Sequence, residues 1–162
     1  MGLGLRLAQV ADMISSVLVT IPGPPLAQPR HRVGIWANKS GSKHGVAYYQ
    51  PQHAKEWRKQ AQHHFKREMK GHAPFSGPIK VTVWYVLERT QTSRGRKLKP
   101  GRQPKSTRPD IDNYEKALLD AGNGVLWRDD GQIWYVCQRK LFAAENEVPH
   151  VVMFVEESTY DE

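Results

Sequence analysis

The sequence predicts an α+β fold, a small mixed β-sheet packed with two main helices in one domain. Three observations carry this. Two stretches place apolar residues at steps of three and four. One stretch alternates with a period of two. Along the 162 residues these patterns interleave as strand, helix, strand, loop, helix and strands, with no internal repeat.

Residues 1–15 read as a disordered N-terminal extension. Only Arg6 precedes their apolar part, Asp12 splits it, and no small-residue cleavage site follows, so a targeting signal is not expected. The domain spans 16–157. It opens on "SSVLVTI", a short β-prone run stopped by "PGPP" at Pro22 to Pro25. "LAQPRHRVGIWANKSGSKHGVAYY" reads as a loop or irregular hairpin, with Arg30, His31, Arg32, Lys39 and Lys43 and no acid among them. Pro51 suits a first helical turn and Gly71 a helix end. Between them Ala54, Trp57, Ala61, Phe65 and Met69 form one apolar stripe. The other faces carry Lys55, Arg58, Lys59, Lys66, Arg67 and Lys70, which suit water as well as DNA.

In "GPIKVTVWYVLER" Ile79, Val81, Val83, Tyr85 and Leu87 alternate with Lys80, Thr82, Trp84 and Val86. Both sets are largely apolar, which predicts a central strand covered on both faces. Residues 89–108 have no periodicity, eight Arg or Lys and no acid; this basic loop is expected to be ordered by phosphates. Ile111, Tyr114, Ala117, Leu118 and Ala121 mark a second helix, ended by "GNG" at Gly122 to Gly124. "VLW", "DDGQ" and "IWYVCQRKLFA" read as strand, tight turn and strand, with Cys137 packed in the latter. "PHVVMFVEE" is a last strand, and 158–162 an acidic tail.

The net charge is +8 and the pI about 9.7, which favours a polyanionic partner, nucleic acid before membrane. A single cysteine excludes a disulfide framework and a Cys-based zinc site, and points to a reducing cytoplasm. No apolar run approaches the ~18 residues of a membrane span. Yet five of the seven aspartates (Asp110, Asp112, Asp120, Asp129 and Asp130) fall within twenty-one residues. One Asp at a helix start is explained by capping. A second, two residues on, and a pair in the following turn are not. Two carboxylates ~5 Å apart repel by about 3 kcal/mol at an effective dielectric near 20, so a convergent trio needs a cation or a shared proton. An all-oxygen site suits Mg²⁺, with Mn²⁺ able to substitute, better than zinc. The adjacent His63 and His64 lie ~100° apart on a helix and do not offer a shared metal site. Lys116, one turn after Asp112, is either an ordinary i,i+4 partner or a point charge for a phosphate. A basic groove beside an acidic metal site fits a metal-dependent nuclease. The alternative is a non-catalytic DNA-binding protein with the aspartates in structural roles.

"RPDIDNYEKALLDAGNGVLWRDDGQI" resembles the signature of the RusA family of Holliday-junction resolvases, the crossover junction endodeoxyribonucleases. Asp110, Asp112, Asn113, Lys116, Asp120, Trp127, Asp129, Asp130 and Gln132 stand in register with its D-x-D-N-x-x-K and W-x-D-D-x-Q pattern. "VTIPGPPLAQPRHR" before a basic helix is similar to how those proteins begin. The resemblance implies a homodimer that binds four-way DNA junctions and resolves them by paired symmetric nicks with Mg²⁺, in recombination and repair. It implies no organic cofactor and no membrane partner. It assigns catalysis to Asp110, Asp112, Asp130 and Lys116 and metal binding to the three aspartates; Asn113, Asp120 and Asp129 are expected in supporting roles. The expected DNA contacts are Arg30, Arg32, Arg94, Arg96, Lys97, Lys99, Arg102, Lys105 and Arg108. The family is common in bacteria and their phages, which implies a bacterial cytoplasm. The longer N-terminus, the enlarged 89–108 loop and Pro109 directly before the first Asp depart from the pattern.

Overall fold

A computed structural model describes residues 14–29, 32–37, 40–41, 44–89 and 100–158. Residues 1–13 of the expected extension (1–15), most of the basic loop (90–99) and residues 159–162 of the tail (158–162) lie outside the described residues.

Strand β1 (Ser16–Pro22) buries Val17, Val19 and Ile21 and exposes the residues between them. β2 (Arg32–Ala37) and β3 (His44–Tyr49) pair antiparallel as a two-stranded sheet of their own. Helix α1 (Gln52–Met69) follows Pro51 and buries Ala54, Ala61, Phe65 and Met69, the predicted stripe with Trp57 at its edge. It ends where Lys70 turns left-handed at φ 49° and Gly71 follows at φ 85°. β4 (Ile79–Leu87) comes next, then the short β5 (Gln103–Pro104) and helix α2 (Ile111–Gly122). A 3₁₀ turn (Asp130–Gln132) leads into β6 (Ile133–Phe142), and β7 (His150–Glu157) closes the fold.

The main sheet runs β1-β7-β4-β6-β5. Only β4 and β6 are parallel. Parallel neighbours require a long crossover, and the chain between them contains β5, α2 and the 3₁₀ turn. This crossover carries every expected catalytic residue. Tyr114, Leu118 and Ala121 of α2 and Ala61, Phe65 and Met69 of α1 share one core with Val81, Val83, Tyr85, Val151, Met153 and Val155 of the sheet. Arg58 of α1 also reaches Asp120 of α2 at 3.5 Å, and Gln62 donates to the Ala121 carbonyl at 3.3 Å. Among the described residues no helix is long and apolar enough to cross a membrane.

Three elements differ from expectation. β4 is central, but its second face is only partly covered: Ile79, Val81, Val83 and Tyr85 are buried, whereas on the opposite face Val86 is buried, Lys80 and Thr82 are half-buried and Trp84 is 38 % exposed. The two helices pack into the same core, so the other sheet face is covered only in part. "VLW" is not a strand. Its Trp127 is fully buried, donates from Nε1 to Asn123 at 2.8 Å and makes only isolated bridges to Phe75 and Asn123. Side-chain burial and the Gly124 turn, at φ 75°, override its β propensity. Within the basic loop, Gln103 and Pro104 pair with β6 as an edge strand.

Candidate active site

The site is built on the first turn of α2. Asp110 occupies the N-cap position in extended conformation, φ −69° and ψ 154°, yet its side chain makes no capping bond. Its carboxylate is exposed and not consumed by the helix end. Asp112 follows in the first turn, where its Oδ1 accepts from the Asn113 backbone at 2.9 Å and amide at 3.4 Å. Asn113 therefore orients Asp112. Its carbonyl also accepts from the Gln28 N–H at 2.8 Å, which ties the segment after "PGPP" to the helix start.

Two lysines fix the turn before Asp110. Lys105 Nζ donates to the Thr107 carbonyl at 3.0 Å, its hydroxyl at 2.6 Å and the Arg108 carbonyl at 2.8 Å. Lys140 of β6 donates to the carbonyls of Thr107 at 2.8 Å and Pro109 at 2.5 Å. Three successive carbonyls thus face two ammonium groups. Lys105 is 9 % exposed and lies over the Phe142 ring. Burial first, and the nearby Lys140 second, lower its pKa. Lys105 was expected to contact DNA; within the chain its ammonium is bonded to the turn.

The adjacent Asp129 and Asp130 part in role. Asp129 caps the 3₁₀ turn: its carboxylate accepts from Gly131 N at 2.8 Å, while Gln132 reaches back to the N–H of Arg128 and Asp129. The Gln132 amide also binds the carbonyls of Phe75 and Gly77. Asp130 is exposed and is not the capping group. It lines one pocket with Asp112, Glu115, Lys116, Leu119 and Asp120.

That pocket runs along one side of α2. Its row from Asp112 to Asp120 spans eight residue steps, hence about 12 Å. Asp110 stands beyond its upper end and does not line it. Among the described residues, no three His, Cys, Asp or Glu side chains gather closely enough to hold one metal ion. The expected convergence of Asp110, Asp112 and Asp130 is therefore not reached within one chain: Asp112 and Asp130 share the pocket, and Asp110 stands outside it. Asp120 pairs with Arg58 rather than with Lys116. Asp112 and Lys116 form no ion pair within 4.0 Å.

Glu115 was missed from the sequence, although it stands three residues after Asp112 and so on the same side of the helix. It accepts from Gln138 of β6 at 2.5 Å. Tyr85 lies below, its hydroxyl without a partner; burial first, then Glu115, push its pKa far up. Lys140 left no local signal in the sequence, because its partners lie some thirty residues away.

Of the expected DNA contacts, Arg108 is exposed in the turn before Asp110. Arg102 is held elsewhere, by Glu147 at 2.6 Å and over the Trp84 ring at 5.6 Å, on the partly covered sheet face. Arg32 begins β2. Arg30, Arg94, Arg96, Lys97 and Lys99 lie outside the described residues.

A family model described as endodeoxyribonuclease RusA matches residues 22–155 of the chain. The chain is also similar to the uncharacterized protein YqaN of Bacillus subtilis (strain 168). The two are 25% identical over 134 residues, spanning 80% of this chain and 89% of that protein.

Proposed function

We propose that this chain, which belongs to the RusA endodeoxyribonuclease family, resolves four-way DNA junctions by paired, Mg²⁺-dependent nicks. The observation that carries this reading is the division of labour among the aspartates. Asp129 is spent on the fold, whereas Asp110, Asp112 and Asp130 are exposed around the start and side of α2, in a chain of net charge +8. A purely structural role explains Asp129 and leaves the others without an account.

The residues fit Mg²⁺ by donor chemistry. Mg²⁺ is commonly held by one or two carboxylates, waters and substrate phosphate oxygens, and needs no all-protein cage. Asp112 and Asp130, which share a pocket, would hold it, while Asp110, outside that pocket, would act through a water of the ion's shell. Bound there, the ion would supply an activated water and stabilise the leaving oxygen. Lys116 docks the scissile phosphate as a point charge. Asn113 holds Asp112 in orientation, and Asp120 fixes α2 to α1 through Arg58. Arg108, Arg30, Arg32 and the 94–99 cluster supply phosphate contacts through counterion release.

Paired symmetric cuts on a two-fold junction ask for two sites related by a two-fold axis, so the working unit is a homodimer. Its role is in recombination and repair. A cruciform plasmid tests the whole reading. Paired cutting within one bound complex yields linear product directly under Mg²⁺. Accumulation of singly nicked circles alone would remove the paired mechanism, and intact plasmid would remove the activity.

A further inference from the structure

We infer that the β2–β3 hairpin seats its Ile35–Val46 pair against the bases at the branch point of a DNA junction. This rests on the DNA reading above and extends it to a residue pair outside the carboxylate site.

The first observation is exposure. Ile35 is 83 % and Val46 56 % exposed, and they are direct cross-strand partners, so they share one face. A single exposed aliphatic residue is ordinary. Two placed side by side, midway along a hairpin whose sheet is separate from the main one, form an exposed apolar pair with no described cover. Contact between the two leaves most of Ile35 in water.

The second observation is charge. From residue 13 to residue 55 the chain contains no Asp or Glu, while Arg30, Arg32, Lys39, Lys43 and Lys55 fall within it. Arg32 begins β2, and Lys39 and Lys43 belong by sequence to the connection between the strands. A segment of this composition complements a polyanion. A second copy of this chain, itself at +8, does not match it. Intact duplex, in turn, offers an aliphatic pair mostly phosphate and groove edges. Base faces become available where stacking is interrupted, as at a branch point, and apolar side chains wedge into such steps.

The third observation is position. The Gln28 N–H is bound to the Asn113 carbonyl, next to Asp112, at 2.8 Å. β2 starts four residues later at Arg32. Four extended residues reach at most about 14 Å, so the hairpin base stands within that distance of the catalytic helix. The Ile35–Val46 pair lies three residues further along β2, about 10 Å more, so at ~3.4 Å per nucleotide step it stands at most about seven steps of one strand from that helix. The carboxylates would then meet a phosphate within about seven nucleotides of the bases that the hairpin engages.

The test uses the full chain in divalent-free buffer. The probe is a four-way junction with 2-aminopurine at the branch point, compared with the same base inside an arm and with linear duplex. The variant Ile35→Thr/Val46→Thr keeps both side chains β-branched, so the hairpin should form. Ile35→Val/Val46→Ile keeps the apolar volume and serves as rescue. The wild type should raise fluorescence at the branch point only. The double threonine variant should lose that rise and weaken junction binding about tenfold, with duplex affinity within about twofold and an unchanged melting temperature. The rescue variant should behave as wild type. An unchanged signal and affinity would overturn the inference. Equal losses on duplex and junction would also overturn it, as would a shift from dimer to monomer, which would reassign the pair to a copy–copy contact. If the wild type shows no preference for the junction over duplex, the proposed function itself fails, which is read before any variant.

Discussion

Asp129 and Asp130 are neighbours of identical chemistry, and their substitutions should give opposite results. Asp129 closes a capping box, accepting from Gly131 N at 2.8 Å while Gln132 Oε1 takes the Asp129 N–H at 3.1 Å. Losing an N-cap carboxylate to alanine costs about 1 kcal/mol, and asparagine caps as well as aspartate. In a chain of this size about 1 kcal/mol lowers Tm by about 2–4 °C. Asp129→Ala should therefore melt about 2–4 °C lower, and Asp129→Asn should melt and cut like wild type. Asp130→Asn removes a negative charge from a pocket that also holds Asp112, Glu115 and Asp120, so it should fold as well or slightly better. Cleavage should collapse. Even unit charges at ~4 Å attract by about 4 kcal/mol at an effective dielectric near 20, which is roughly a thousandfold in rate. Single-turnover nicking of a labelled junction and a thermal melt on each variant read both quantities. A folded Asp130→Asn that cuts at the wild-type rate, or a folded Asp129→Asn that is equally inactive, would refute the assignment.

Other perturbations have defined outcomes. A Cβ on Gly122 would stand 2.7 Å from Cη2 and 2.8 Å from Cε2 of the fully buried Trp127. Gly122→Ala should thus overpack the core by about 1–3 kcal/mol, seen as a lower Tm and altered tryptophan fluorescence. Lys140→Met removes the ammonium from Thr107 and Pro109 but keeps the apolar stem. With the turn before Asp110 loosened, single-turnover cleavage should fall about tenfold while junction affinity stays within about twofold; affinity falling in step would mark Lys140 as a DNA contact. The Arg102 hydrogen bond holds the Glu147 carboxyl below its ordinary range. That stability is present above the ordinary glutamate pKa, about 4.3, and is lost as pH falls through the lowered value. Glu147→Gln should therefore flatten the acid loss of stability, measured by urea unfolding across that range. Neutralising Lys97 and Lys99 should reduce the salt slope of junction affinity by about two units, and an unchanged slope would remove this part of the loop from the phosphates.

Much of this architecture was legible because it is local. The stripe from Ala54 to Met69 and the alternation from Ile79 to Leu87 follow from residue spacing alone, and both elements formed where spacing put them. What failed depended on what packs where. The apolar outer set of β4 suggested a covered strand, but nothing in the chain reports that both helices choose the same side. Trp127 carries strand propensity yet is drawn into the core against Gly122. At the site, the aspartate cluster was visible from composition, and the roles within it were not. Asp129 and Asp130 separate only once Gly131 and Gln132 are seen to close the cap. Lys105 sits in a run that reads as phosphate contact, and only the carbonyls of Thr107 and Arg108 show where its charge goes.

A divalent-ion titration on a labelled four-way junction and a linear duplex of the same sequence, for wild type and Asp112→Asn, bears most directly on the central idea. Cutting should appear with Mg²⁺ on the junction alone and stop on chelation, while Asp112→Asn binds the junction and leaves it intact. Tight junction binding without cleavage under any divalent ion, or cutting by Asp112→Asn at the wild-type rate, would contradict it.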